Sequence, residues 1–209
     1  MGHIRTWSQL EALNLSQAEK ALIEASYAGT SCKLADGALP ADCSNPTNDR
    51  KVRASVLRYL LLGGCQNKSL PICTINLRGA HITGPLDLDQ QKLRNSIVFS
   101  KCRIGDGLFA VGAFIPALEV SHSDVSELKL DRTVVRNDIC LAGTVFSQEV
   151  CLSGAQIRGQ LDCENAKFLA GKNHLVGPSD TPLYAFDGQD MRVGLGFFWQ
   201  NVSVPHGVM

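Results

Sequence analysis

Two interleaved apolar ladders run through the middle of this 209-residue chain in a single frame. One is made of small–x–aliphatic triplets: Ala80/Ile82, Cys102/Ile104, Ala113/Ile115, Ser123/Val125, Thr133/Val135, Thr144/Phe146, Ala155/Ile157 and Ala166/Phe168, with Gln91/Leu93 in the one gap. Their last members, from Ile82 to Phe168, step by 11, 11, 11, 10, 10, 11, 11 and 11 residues. The second ladder is aliphatic–x–aliphatic: Ile75/Leu77, Leu86/Leu88, Ile97/Phe99, Leu118/Val120, Leu128/Leu130, Ile139/Leu141, Val150/Leu152 and Leu161/Cys163. It is weak near 107–109, where Gly107 takes the place of the first apolar residue.

An apolar pair separated by one residue is a short strand with both ends turned inward and the middle residue outward. Helical packing demands spacings of three and four instead. Steps that alternate between about five and about six residues put a corner after each piece. Four such pieces close one coil of about 21 or 22 residues, and coils stack at the ~4.8 Å strand spacing. Residues 75–168 therefore predict roughly four and a half coils of a β-solenoid.

The text before the ladders is helical. Ser16 and Glu19 form a capping box, Ala18, Ala21, Leu22, Ala25 and Tyr27 keep helical spacing, and Gly29 stops the helix. A loop rich in Gly, Pro, Asn, Asp and Ser fills 30–48. DRKVRASVLRYLLLGG then predicts a second helix with Val52, Val56, Leu57, Tyr59 and Leu60 as its buried stripe. The expected organisation is an N-terminal helical cap over 1–68 and a β-helix over 69–209. After Phe168 an excursion at 169–182 interrupts the frame, which resumes at Leu183/Ala185, Met191/Val193, Phe197/Trp199 and Val202/Val204.

LRGAHITGPLDL and LSGAQIRGQLDCENAKF resemble the pentapeptide-repeat family, whose A-[DN]-L-x-x consensus builds a right-handed quadrilateral β-helix. Many steps here are six residues rather than five, and the second ladder prefers an aliphatic where the family prefers Ala. The whole chain is more similar to a divergent bacterial subgroup in which a segment ending like ASVLRYLLLGG precedes LxGAxIxGxLDL repeats. Some of that subgroup carry a membrane-associated oxidoreductase label, which no residue of this sequence supports. The resemblance implies a mainly β fold: a right-handed quadrilateral β-helix (solenoid) with an N-terminal α-helical cap.

Twenty Lys and Arg balance twenty Asp and Glu, which argues against a nucleic-acid binder with its basic surplus. The chain has no apolar run of membrane-spanning length and no apolar core in its first 15 residues, so the expectation is a cytoplasmic protein without a membrane span. Eight cysteines contain no CxxC pair and the five histidines are scattered, so no metal and no cofactor are expected. Reduced thiols follow, with a Cys32–Cys43 bridge as the variant for an exported chain. Cys140 and Cys151 fall at outward positions of different faces. GDGLFA at 105–110 fits a dinucleotide fingerprint in letters, yet no helix follows it, so it is a glycine-rich corner. No catalytic residue emerges, and Asp87, Glu119, Asp124 and Asp162 belong to a solvated face.

Sorting outward positions by coil leaves one face showing Lys92, Phe114, Val134 and Gln156, with Phe114 and Val134 on adjacent coils and turned toward solvent. That apolar pair is the candidate partner-binding site. A filled column without a cleft favours broad-surface recognition, so the expectation is a non-catalytic scaffold or protein-interaction module. Two alternatives stand beside it. One, implied by the family resemblance, is the duplex-DNA mimic that binds a topoisomerase; it needs an acidic column, and zero net charge speaks against it. The other is the non-catalytic part of a longer enzyme or membrane-associated protein. The ladder stops mid-coil near Met209, so either the native chain continues or a homodimer covers the C-terminal end.

Overall fold

The computed structural model describes residues 4–41, 45–64, 75–170 and 184–205. Their strands form four parallel sheets, each collecting one short strand from successive coils. The first sheet holds β1 (Cys32–Lys33), β3 (Ile75–Arg78), β6 (Ile97–Ser100), β10 (Leu118–Ser121), β14 (Ile139–Cys140), β18 (Leu161–Asp162) and β22 (Phe197–Phe198). The second holds β2 (Lys51–Arg53), β4 (His81–Thr83), β7 (Arg103–Ile104), β11 (Asp124–Val125), β15 (Val145–Phe146) and β19 (Lys167–Phe168). The third holds β5 (Leu86–Asp87), β8 (Leu108–Phe109), β12 (Leu128–Lys129), β16 (Val150–Cys151) and β20 (Phe186–Asp187). The fourth holds β9 (Phe114–Ile115), β13 (Val134–Val135), β17 (Gln156–Ile157) and β21 (Arg192–Val193), with Lys92 bridging to Phe114 ahead of them. The chain visits the sheets in that order, once per coil. The result is a β-solenoid of about four turns.

The corners have a backbone signature. Where the chain leaves the first sheet, Gly79, Lys101, His122, Gly143, Asn165 and Asn201 all take positive φ. Between the third and fourth sheets, Gln90, Gly112, Arg132, Gly154 and Asp190 do the same. A left-handed residue redirects an extended chain within one step, and Gly, Asn, Asp and unbranched polar residues bear that conformation at least cost. Both columns keep the 20–22 residue period until a 36-residue gap, Asn165 to Asn201 and Gly154 to Asp190. About 14 residues are inserted there, and the expected excursion at 169–182 lies almost wholly outside the described residues.

From Ile75 to Phe168 the inward residues of both ladders are buried except Gln91, and a single apolar core runs from Leu10 and Leu22 through these coils to Phe186. Under the second sheet, Phe146 and Phe168 stack at 5.3 Å between ring centroids, and Trp199 stacks on Phe168 at 5.4 Å. The small inward hydroxyls are satisfied within the column: Thr144 Oγ1 donates to the Val120 carbonyl and Ser123 Oγ to that of Ser121.

The N-terminal segment is not a lid laid on a finished coil. It starts the coil. Lys51–Arg53, expected to open the second helix, is strand β2, with Val52 opposite Ile82 in parallel register. The first coil would otherwise present an unpaired strand edge, and Val52 satisfies it. Helix α3 (Ala54–Leu61) begins only after it and packs against β5. β1 likewise rises from within the expected loop to pair with β3. Helix α2 (Gln17–Ala28) has the expected capping box and a left-handed Gly29, and a further helix outside the expected two, α1 (Trp7–Glu11), carries a Thr6–Gln9 capping box.

Two frame assignments shift. The weak place in the second ladder is filled by Leu108 and Ala110, both fully buried, while Phe109 points outward opposite Asp87 and Lys129. After the excursion Phe186 takes the register position opposite Val150 and is buried together with Ala185, while Leu183 lies outside the described residues. At 108 a large apolar residue one position along fills the core better than Gly107.

Candidate functional site

The outward column of the fourth sheet is Lys92, Phe114, Val134, Gln156 and Arg192, held in register by the bridge at Lys92 and by the pairs Phe114–Val134, Val134–Gln156 and Gln156–Arg192. Alternation of the pleat turns these side chains out because Ala113, Ile115, Val135 and Ile157 must turn in. All four candidate residues thus share one face. Phe114 and Val134 are half-buried, and Lys92 and Gln156 are exposed.

The Phe114 ring is not bare. The Lys92 ammonium lies 5.8 Å from its centroid and the Arg136 guanidinium 5.5 Å. Cations over an aromatic ring are attracted to its π cloud, so the rung is an aromatic between two positive charges. Arg136 was missed in the sequence because it sits in the corner after the inward Val135, outside both ladders. Below Val134 a shallow depression is lined by Gly154, Gln156, Asp190, Met191 and Arg192. The helices pack at the start of the column, against β1, β2, β3 and β5.

No family model, no curated protein and no solved structure matches this chain.

Elsewhere a few titratable side chains are engaged in ion pairs. The Glu19 carboxylate is fully buried beside Arg53, at 2.6 Å from Nη2 and 2.7 Å from Nε, and also accepts from the backbone N–H groups of Arg53 and Ser16. Burial pushes its pKa up, but those four donors outweigh burial and hold it below the usual carboxylate value. A recess of about 210 Å³ opens beside this pair, between Asn14, Asn48 and Lys51. On the third sheet, Lys129 bonds Glu127 at 3.0 Å and lies 3.6 Å from Glu149. Asp124 of the second sheet pairs with Arg103 at 2.6 Å.

Burial disfavours the thiolate at each of the five cysteines among the described residues. Burial raises the Cys102 pKa to about 12 and that of Cys32 to about 11, and it also raises Cys140 and Cys163. Cys151, expected at an outward position, is only 6% exposed, because its Sγ turns back to donate to Asp131 Oδ1 at 3.0 Å. Burial, then the neighbouring Asp131, push its pKa up as well. The Cys32–Cys43 alternative involves Cys43, which lies outside the described residues. Among the described residues no three His, Cys, Asp or Glu side chains are grouped to hold a metal ion, and no helix is long and apolar enough to cross a membrane. The GDGLFA segment runs straight into β8, without a helix for a phosphate to sit on.

Proposed function

We propose that this protein is a non-catalytic scaffold that binds a protein partner on the outward face of its fourth sheet. The observation that carries this is the half-buried Phe114–Val134 rung on an open face, flanked by Lys92, Arg136 and Gln156. An aromatic anchor beside arginine, ringed by polar residues, is the composition of an interaction hot spot. We also propose membership of the pentapeptide-repeat family in its right-handed, four-sided form; the two inward ladders and the four parallel sheets support it.

Duplex mimicry is the weaker reading because no sheet shows a continuous acidic column among the described residues. The first sheet's outward positions are Asn76, Val98, Glu119, Cys140, Asp162 and Phe198, and the third sheet's are Asp87, Phe109, Lys129, Cys151 and Asp187. The test is affinity capture from the source cell, followed by binding measurements with the purified partner. Phe114→Asp combined with Val134→Asp should abolish the interaction while leaving the thermal midpoint within a few degrees. A partner bound equally by the folded double variant would overturn the assignment of the face.

A further inference from the structure

Positive charge gathers on the fourth sheet's face and its two corners. Lys92, Arg94, Arg132, Arg136, Arg158 and Arg192 are all exposed, and among the described residues none of them pairs with a carboxylate. Their positions follow from register. Arg136 and Arg158 succeed the paired Val135 and Ile157 on adjacent coils, and Arg192 pairs with Gln156. Arg132 lies along the other corner, its side chain running over Gly154. Against these six cations the same corners hold Asp89, Asp131, Asp138 and Asp190, of which Asp89 accepts from the Val111 N–H, Asp131 from the Cys151 thiol and Asp138 from the Gln160 N–H, so the strip keeps a surplus of positive charge. The third sheet and its approach have the opposite balance, with Asp87, Glu127, Glu149 and Asp187 around Lys129.

We propose that this strip receives an extended acidic segment of a partner protein; the inference rests on the docking role of the face and names the chemistry of what docks. Five of the six cations are arginines, each able to grip a carboxylate with two parallel N–H donors. From Lys92 to Arg192 the strip climbs four coil spacings, roughly 19 Å at ~4.8 Å each, the length of about six extended residues. A single-stranded nucleic acid suits the face less well. Its bases need free aromatic rings to stack on, and Phe114 is half-buried with Lys92 and Arg136 beside it. A long polyanion leaving the strip would also meet the carboxylates of the first and third sheets.

The experiment uses three fluorescein-labelled probes: a twelve-residue Asp/Glu-rich peptide, a serine-substituted version of it, and an oligothymidylate of equal charge. Anisotropy titrations are run on the whole chain at low and physiological salt. The acidic peptide should bind and weaken as salt rises, the serine version should not bind, and the oligothymidylate should bind less tightly. Arg136→Glu with Arg158→Glu should weaken the peptide at least about tenfold, as expected when two ion pairs become like-charge contacts. Lys101→Glu, at a corner of the first sheet, should leave it unchanged. Should the double reversal disturb folding, Arg136→Gln with Arg158→Gln replaces it, with a smaller loss expected. Absent peptide binding, equal weakening by Lys101→Glu, or tighter oligothymidylate binding would each overturn the proposal. Loss of a captured partner in the Phe114/Val134 variant, without any acidic-peptide binding, would leave the docking role standing and remove only the acidic chemistry.

Discussion

Glu19 shows how much one side chain can organise. In the sequence it is the N3 residue of the capping box that Ser16 opens, and its role there ends within one turn of helix. In the fold its carboxylate also takes three hydrogen bonds from Arg53, the residue joining β2 to α3, and so ties α2 to the first coil. Glu19→Gln should lower unfolding free energy at neutral pH by about 3 kcal/mol, the usual cost of stranding one partner of a buried pair. Because the folded-state pKa of Glu19 is depressed, its contribution is complete above the unfolded carboxylate value and disappears as pH falls through the folded one. Urea unfolding should therefore show the wild type losing stability below about pH 4.3 more steeply than Glu19→Gln. Equal slopes would deny Glu19 that role.

Among the elements, the two-residue strands are individually too short to persist, and each depends on the strand before and after it. The aromatic stack under the second sheet couples the last coils most strongly. Phe168 is fully buried between Phe146 and Trp199, with the Phe186 ring edge-on at 5.1 Å. Phe168→Ala should cost about 3–5 kcal/mol by chemical denaturation. The loss should appear first in hydrogen exchange of β20–β22, since neighbouring coils stabilise one another. A uniform rise in exchange across β3–β22 would contradict that coupling. The ladders that built these strands were legible because each inward position must be apolar or small on every coil. The corner columns were not, since a positive φ is met by residues as different as Gly79, Lys101 and His122.

At the level of the whole molecule, the two ends of the solenoid differ. At one, β1, β2 and α3 cover the core. At the other, among the described residues, β20, β21 and β22 each have a strand neighbour on one side only. Leu195 is 75% exposed there and Phe197 47%, although Phe197 sits in the inward register opposite Leu161. Open strand edges beside apolar surface drive self-association. We expect this 209-residue chain to dimerise through that end, with sedimentation velocity showing a concentration-dependent dimer that Leu195→Glu with Phe197→Glu reduces to monomer. A monomer at all concentrations would refute this.

The repeat alone was enough to dictate a solenoid, its coil length, the inward residues of most strands and the stacking of Lys92, Phe114, Val134 and Gln156. A period-two pattern locked to a 21 or 22 residue coil leaves no other way to bury those side chains together. Where the chain joins its first coil, which residue fills the core at 108 and 186, and how Lys92 and Arg136 from neighbouring coils meet around Phe114 depended on contacts between coils. Such contacts join residues some 20 positions apart or more, and no local pattern records which neighbour a corner side chain will find.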